Sequence, residues 1–276
     1  MRRLIVTLID VGWGDSVLIE SEDSQGKPHF ALVDSNDNAE MRSSYIFLRR
    51  HFEKLGRKIE AVNKPFFKFV MLSHAHTDHG RGLEAIMREF GTENFIYPKF
   101  HDPGVLSKLL DFARRRPQYV QHFQSVDETD AINLGDVFIS FLWPKHGDPP
   151  LANTENNNSV VMRLQLGNVS FILTGDSEKE VWRRISGQIP ADTLFFKVPH
   201  HGSMNGTFDG QNPAWLNDCP RGARLGISSH VVPFTHPDKQ VTDLFDQEGF
   251  QYFRTDISYH LSFETDGTTV SEKYSH

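Results

Sequence analysis

Between positions 74 and 79 the chain places His74, His76, Asp78 and His79, inside the stretch SHAHTDHGRG that begins at Ser73. Imidazole nitrogen and carboxylate oxygen are the donors that zinc, manganese and iron accept. His74 and His76 are two apart, so in extended chain they fall on the same side. Asp78 and His79 follow in a turn and can face a second position. A lone histidine in a loop is ordinarily a solvated surface residue. Four donors at this spacing point to metal binding instead.

A complete site needs further donors, and three other places offer them. Asp176, in ILTGDS, follows an apolar run. Its carboxylate can bridge two metals, or it can cap a helix N-terminus, a common role for Asp. His200 and His201, in FFKVPHHGS, follow another apolar run. His236, in FTHPDKQ, stands just before a helix. Taken singly, each has an ordinary reading as a loop or helix-start residue.

Elements that end at one edge must hold these donors. LIVTLIDV from Leu4, SVLIES and FALVDS read as short strands of a meander. Ser43 to Leu55 has apolar residues at helical spacing, and PFFKFVMLS from Pro65 is a buried strand that ends on the histidine cluster. A helix over Leu83 to Phe90, a strand at FIYPK and a helix over Val105 to Arg116 follow. In the second half VFISFLWP reads as a strand, and VVMRLQLGNVSFILTGD as a hairpin turning at Gly167-Asn168. A helix is predicted from Ser177, with Glu178 and Glu180 in its first turn, where the macrodipole favours acids. TLFFKVPH and RLGISSH are further strands, Lys239 to Glu248 a helix, and the chain closes on a hairpin around Asp266-Gly267. The polar stretch Lys145 to Asn158 is the best loop. The pattern by itself gives an α and β, sheet-rich chain, with two sheets packed together and helices outside.

Composition narrows the function. The chain has 276 residues, 38% hydrophobic and 24% charged, which suits one large domain with an ample core. The net charge of -7 argues against binding nucleic acid through a broadly basic surface. It does not exclude a nuclease, because site metals carry their own positive charge. Arg114, Arg115 and Arg116 can touch a phosphate backbone or simply end a helix in solvent. One cysteine, Cys219, excludes an intrachain disulfide and fits a reducing compartment. The N-terminus reads as a strand rather than a signal peptide. No stretch approaches the ~18 apolar residues of a membrane span. A soluble, cytoplasmic protein is expected.

The segment HAHTDHG resembles the HxHxDH metal motif of the metallo-β-lactamase superfamily. IDVGWGDSVLIE resembles the "DVGQGD" segment of the ComEC/Rec2-type metallo-β-lactamase-like domain. ENNNSVVMRLQLGNVSFILTGD, KVPHHGS, THP and FRTD resemble that group's "NNxS…TGD", "KVPHHGS", "GHP" and "RTD" segments. The matches occur in order and span nearly the whole chain.

The resemblance implies an α+β fold, an αββα sandwich over residues 1–276, with two divalent metal ions, zinc or manganese, at one edge. By position, His74 and His76 hold the first metal, Asp78 and His79 the second, and Asp176 bridges them. His200 completes the second site, with His201 as its alternative or as a supporting partner. Many superfamily members carry a further histidine in a "GHTPG" segment. Here that region reads TENNNS, so Asn157, Asn158 or water fills the place. Asp34, in VDSNDN, keeps the acid of the family's "DTG". Asp15 either supports the metal ligands or forms a turn beside Gly14.

The activity implied is a metal-dependent hydrolase, foremost a phosphodiesterase or nuclease acting on DNA or a nucleotide. Asp78 orients the attacking water, and His236 donates a proton to the leaving oxygen or holds a phosphate. Ser203 and the amides after Gly202 face a substrate oxyanion. The alternatives are a carboxylic ester, lactone or thioester hydrolase of the same fold, or a non-catalytic partner or sensor protein.

Overall fold

The structure is a computed structural model that describes residues 2–57, 59, 64–129, 131–151 and 154–275. Of the polar loop Lys145 to Asn158, Ala152 and Asn153 lie outside the described residues.

The first half of the chain builds β1 (Leu4–Leu8), β2 (Val17–Glu22), β3 (Pro28–Val33), helix α1 (Ser43–Lys54) and β4 (Phe67–Met71). There follow α2 (Thr77–Gly80), α3 (Leu83–Phe90), β5 (Thr92–Tyr97), α4 (Val105–Arg115) and β6 (Val120–Ser125). The second half gives β7 (Ala131–Leu134), β8 (Val137–Trp143), β9 (Val161–Leu166), β10 (Val169–Leu173), α5 (Lys179–Arg184) and β11 (Thr193–Lys197). After the one-turn α6 (Met204–Thr207) come a small hairpin of β12 (Phe208–Asp209) and β13 (Asn212–Pro213), then β14 (Arg224–Ile227) and α7 (Lys239–Gln247). The chain ends with β15 (Gln251–Arg254), α8 (Thr255–Ser258), β16 (His260–Thr265) and β17 (Val270–Ser275).

Two sheets result. The first runs β17-β16-β1-β2-β3-β4-β5-β6, the second β15-β14-β11-β10-β9-β8-β7. Side chains alternate between faces along each strand. Val17, Ile19, Phe69 and Met71 of the first sheet therefore meet Met162, Leu164, Phe171 and Phe195 of the second in one central core. The opposite faces carry helices. Leu18, Leu32 and Val70 pack beneath Phe52 of α1, Ile86 and Phe90 of α3 and Leu109 of α4. Ile172, Phe196 and Leu225 pack beneath Trp182 of α5 and Phe245 of α7. The layers are helix, sheet, sheet, helix: an αββα sandwich.

Each sheet is antiparallel on one side and parallel on the other. β3, β4 and β5 run parallel in the first sheet, and β10, β11, β14 and β15 in the second. Parallel neighbours end at the same edge, so their C-terminal loops gather there, where sheets of this kind collect their functional residues. The loops after β3, β4, β10, β11 and β14 carry the polar residues singled out above.

The helix expected from Ser177 begins at Lys179, and Glu178 spends its N–H on the side chain of Asn157 instead of a helical turn. In the two large sheets the strands not read from sequence, β6, β7 and β15, are all edges; the two-residue strands β12 and β13 are likewise not read from it. An edge strand is covered on fewer sides and shows a weaker apolar pattern. No helix among the described residues is long and apolar enough to cross a membrane.

Candidate metal centre

β3 stops at Val33, and Asp34 turns the chain with a φ of 62°, a left-handed conformation that Asp tolerates better than most residues. Its carboxylate accepts from the Ser73 amide at 2.7 Å and the Ser73 hydroxyl at 2.6 Å. The other contact of that carboxylate is His79 Nδ1 at 2.8 Å. With Nδ1–H given to Asp34, His79 presents Nε2 as a free donor, the usual way a carboxylate orients a ligating imidazole. This bond joins the loops after β3 and β4 and fixes the first half of the site.

The second half is set by the turn Pro199–Gly202 after β11. His200, His201 and Gly202 all have positive φ, 48°, 55° and 77°. For a non-glycine residue this costs of order 1–3 kcal/mol. The reversal sends the two histidines opposite ways. His201 is fully buried, and its Nδ1 donates to the Ser228 carbonyl at 2.9 Å, leaving Nε2 as a free donor 3.2 Å from Asp176 Oδ2. His200 Nδ1 instead lies 3.3 Å from Glu178 Oε1. Of the adjacent pair, His201 enters the cluster and His200 faces away to Glu178. At Gly202 a Cβ would stand 2.6 Å from Pro237, so glycine is required by contact as well as by φ.

Asp176 lies between the halves. Its amide donates to Ser159 Oγ at 2.9 Å, and its Oδ2 is 3.2 Å from both His79 Nε2 and His201 Nε2 and 4.0 Å from His74 Nε2. Yet His79 Nε2, His201 Nε2 and Asp176 Oδ1 are buried with no hydrogen-bond partner among the described residues. These atoms converge without aligning on one another, which is how donors stand around a cation. Three-residue groups of matching ligand atoms form from His74, His79 and Asp176, and from Asp78, His79 and His201. Asp78 Oδ2, partly exposed, is 3.9 Å from His79 Nε2, and His76 Nδ1 is 3.0 Å from His74 Nε2. His74, His76, Asp78, His79 and Asp176 are thus brought together.

The electrostatics agree. Burial disfavours charge on His79, but Asp176 and Asp34 outweigh it and hold its pKa well above the usual value. His201 is likewise raised against burial, by Asp176 foremost. Burial would raise the Asp176 pKa, but His201 and His79 hold its carboxyl well below the usual range. His74 is pushed well down by burial and by His79.

A salt bridge that sequence reading missed underlies the cluster. Lys197 Nζ is 2.7 Å from Asp15 Oδ2, and both side chains are 1% exposed. Asp15 in turn lies 3.8 Å from His201 Nδ1 and 3.9 Å from His79 Nδ1. The available signal was a lysine closing the apolar strand TLFFK, where water is scarce. Asp15 is therefore a support of the cluster. Gly14 beside it has φ 99°, and a Cβ there would be 2.3 Å from the Asp78 carbonyl, so this loop is pressed against the donor loop.

The ENNN turn differs in detail from expectation. Asn157 Oδ1 accepts from the Glu178 amide, and Asn158 Nδ2 donates to Glu155. It is Asn156 whose amide oxygen is buried without a partner among the described residues. Glu155 Oε1 accepts from the Ala75 amide at 2.7 Å and so ties this turn to the donor loop.

His236 is half-buried, with Nδ1 3.6 Å from Asp238 Oδ2, and burial lowers its pKa. Ser203 Oγ accepts from the Gly206 amide and caps α6. Arg115 pairs with Asp111, and Arg114 lies over Phe123.

No family model matches the chain. It is 26% identical over 260 residues to ComE operon protein 3 of Bacillus subtilis (strain 168), across 91% of this chain and 32% of that protein. It is 30% identical over 190 residues to the uncharacterized protein YcaI of Escherichia coli (strain K12), across 67% of this chain and 22% of that protein. The chain thus spans a minor part of the curated relatives it matches. Among solved structures it is similar to a long-form RNase Z from yeast, with 11% identity and a TM-score of 0.46 over 83% of this chain and 37% of that one. It is also similar to the metallo-β-lactamase SMB-1, with 14% identity and a TM-score of 0.41 over 72% of this chain and 82% of that one. In sequence the chain is similar to these two curated proteins, and its own fold is an αββα sandwich.

Proposed function

We propose that this chain is a metal-dependent hydrolase of phosphodiester bonds, acting as one domain over residues 1–276 with two divalent ions, zinc or manganese. The observation that carries the reading is the convergence of His79 Nε2, His201 Nε2 and Asp176 on one buried spot with no aligned hydrogen bonds between them. Asp78, His79 and His201 would hold one ion, His74 and His76 the other, with Asp176 between them. Bound there, such ions lower the pKa of water and offset charge on a phosphoryl oxygen.

The chain's own residues do the rest. Asp78 is the least buried carboxylate of the set and orients the attacking water toward the phosphorus. His236, whose pKa burial lowers, donates a hydrogen bond to a phosphate oxygen, or in its protonated fraction passes a proton to the leaving oxygen. Asp34, Asp15 and Lys197 position the donors and touch no substrate. A purely structural site is closed by its ligands, whereas Asp78 and His76 are only partly buried. The ComEC/Rec2 resemblance favours a phosphodiester over a carboxylic ester, lactone or thioester.

The test is cleavage of labelled single- and double-stranded DNA by protein loaded with manganese or zinc, beside Asp78→Ala, with a lactone and a thioester as rival substrates. Metal-dependent DNA cleavage, lost by about a hundredfold or more in the variant, is expected. Turnover of the rivals without DNA cleavage overturns the phosphodiester assignment.

A further inference from the structure

The loop after β14 carries exposed apolar residues beside a polar, buried site. Phe234 is 57% exposed, with Val231 and Val232 exposed next to it. Its ring centroid is 4.5 Å from that of Trp13, and Trp13 is 4.7 Å from His201. His236 completes the group, 5.5 Å from Trp13 and near-parallel to Phe234 at 6.3 Å. The rings form an unbroken series from a donor imidazole to solvent.

Folding alone does not account for an exposed phenyl packed at a 51° tilt against a half-buried indole at the mouth of a charged cluster, because burial would stabilise both. A flat aromatic ligand does account for it. We propose that Trp13, Phe234 and His236 form a stacking shelf for an unpaired nucleobase of the substrate, adjacent to the phosphodiester that the donor cluster cleaves. The assignment rests on the phosphodiesterase reading above. Base–aromatic stacking is tolerant of sequence, since every base has a π-face. The net charge of -7 argues against a broadly basic surface, and stacking supplies affinity independent of backbone charge. In a duplex both faces of a base are already stacked, and reaching the shelf requires flipping it out. Single strands are therefore the preferred substrates.

The test compares three labelled substrates: a ten-nucleotide single strand, its duplex, and the same backbone built from stable abasic units. The shelf predicts that the single strand is cleaved faster than the duplex. Phe234→Ala and Trp13→Gln should each lower kcat/KM on the base-bearing strand about tenfold and leave the abasic backbone within about twofold. Equal losses on both backbones, or no loss on either, overturn the shelf. A second readout needs no turnover. In an Asp78→Asn background, a strand carrying 2-aminopurine should be quenched on binding, and adding Phe234→Ala should remove the quench. Binding without quench overturns the shelf. 2-Aminopurine nucleoside monophosphate, run alongside, tells a free nucleotide from a polymer, and quench of either supports the shelf. If no phosphodiester is cleaved at all, the reading of the reaction fails while the quench still decides the shelf.

Discussion

The two halves of the donor cluster are built to different standards. On the side of His79 and His201, both imidazoles have a fixed partner at Nδ1. Asp34 and Ser73 hold His79, the Ser228 carbonyl holds His201, Ser159 holds the Asp176 backbone, and the Lys197–Asp15 pair lies beneath. On the other side, His74 and half-buried His76 face each other at 3.0 Å, and the support is the Ser73 hydroxyl beside His74 and the Glu155 bond to the Ala75 amide. Preorganised donors bind metal more tightly because less order is lost on binding. If two ions bind as proposed, the difference assigns the tighter one to the His79–His201 half and the weaker one to the His74–His76 half.

The largest effect that breaks the comparison is at Asp176, whose Oδ2 lies against His79 and His201 on one side and His74 on the other. Asp176→Asn should remove both ions and lower kcat about a thousandfold, about 4 kcal/mol of barrier, measured as metal content and DNA cleavage in parallel. Next comes Asp34→Ala, which frees the His79 ring and leaves the buried Ser73 amide unpaired. It should weaken the tight ion by about 10- to 100-fold and cost about 1–3 kcal/mol of stability, read by metal titration and urea denaturation. Smallest is Glu155→Gln, which keeps an acceptor for Ala75 but loses its charge. It should loosen only the weaker ion, by about fivefold.

pH sharpens the same contrast. In the metal-free chain His79 and His201 have raised pKa values, so they bind protons more tightly folded than unfolded. The stability they contribute is complete below the ordinary histidine pKa of about 6.5 and is lost as pH rises through their raised values. His74, lowered by burial, acts in the opposite sense below that pH. A cation replaces the two protons, so the Tm gap between metal-loaded and EDTA-treated protein should widen from pH 6.5 to 8. A gap that narrows over that range contradicts the proton-for-metal exchange.

Much of this architecture is readable in the chain itself. The donors of the first loop follow directly on an apolar strand, so both the strand and the site that it delivers show in one short window. The helices α1, α3 and α4 carry one apolar face each and are legible for the same reason. What is not legible depends on distant partners. Asp34 meets His79 across 45 positions and Glu155 meets Ala75 across 80, and no local pattern encodes either. The choice between His200 and His201 rests on three successive left-handed residues, which spacing cannot reveal. Lys197 was hidden because a lysine reads as exposed until its buried acid is located. Asn156, rather than its two neighbours, has the unpaired amide oxygen, a matter of side-chain direction within one turn.

The most direct test of the account is the metal content of purified protein, wild type beside His201→Ala and His200→Ala, with folding checked by circular dichroism. The account predicts that His201→Ala loses the tight ion while His200→Ala keeps it. Retention of the tight ion in His201→Ala, with its loss in folded His200→Ala, would contradict it.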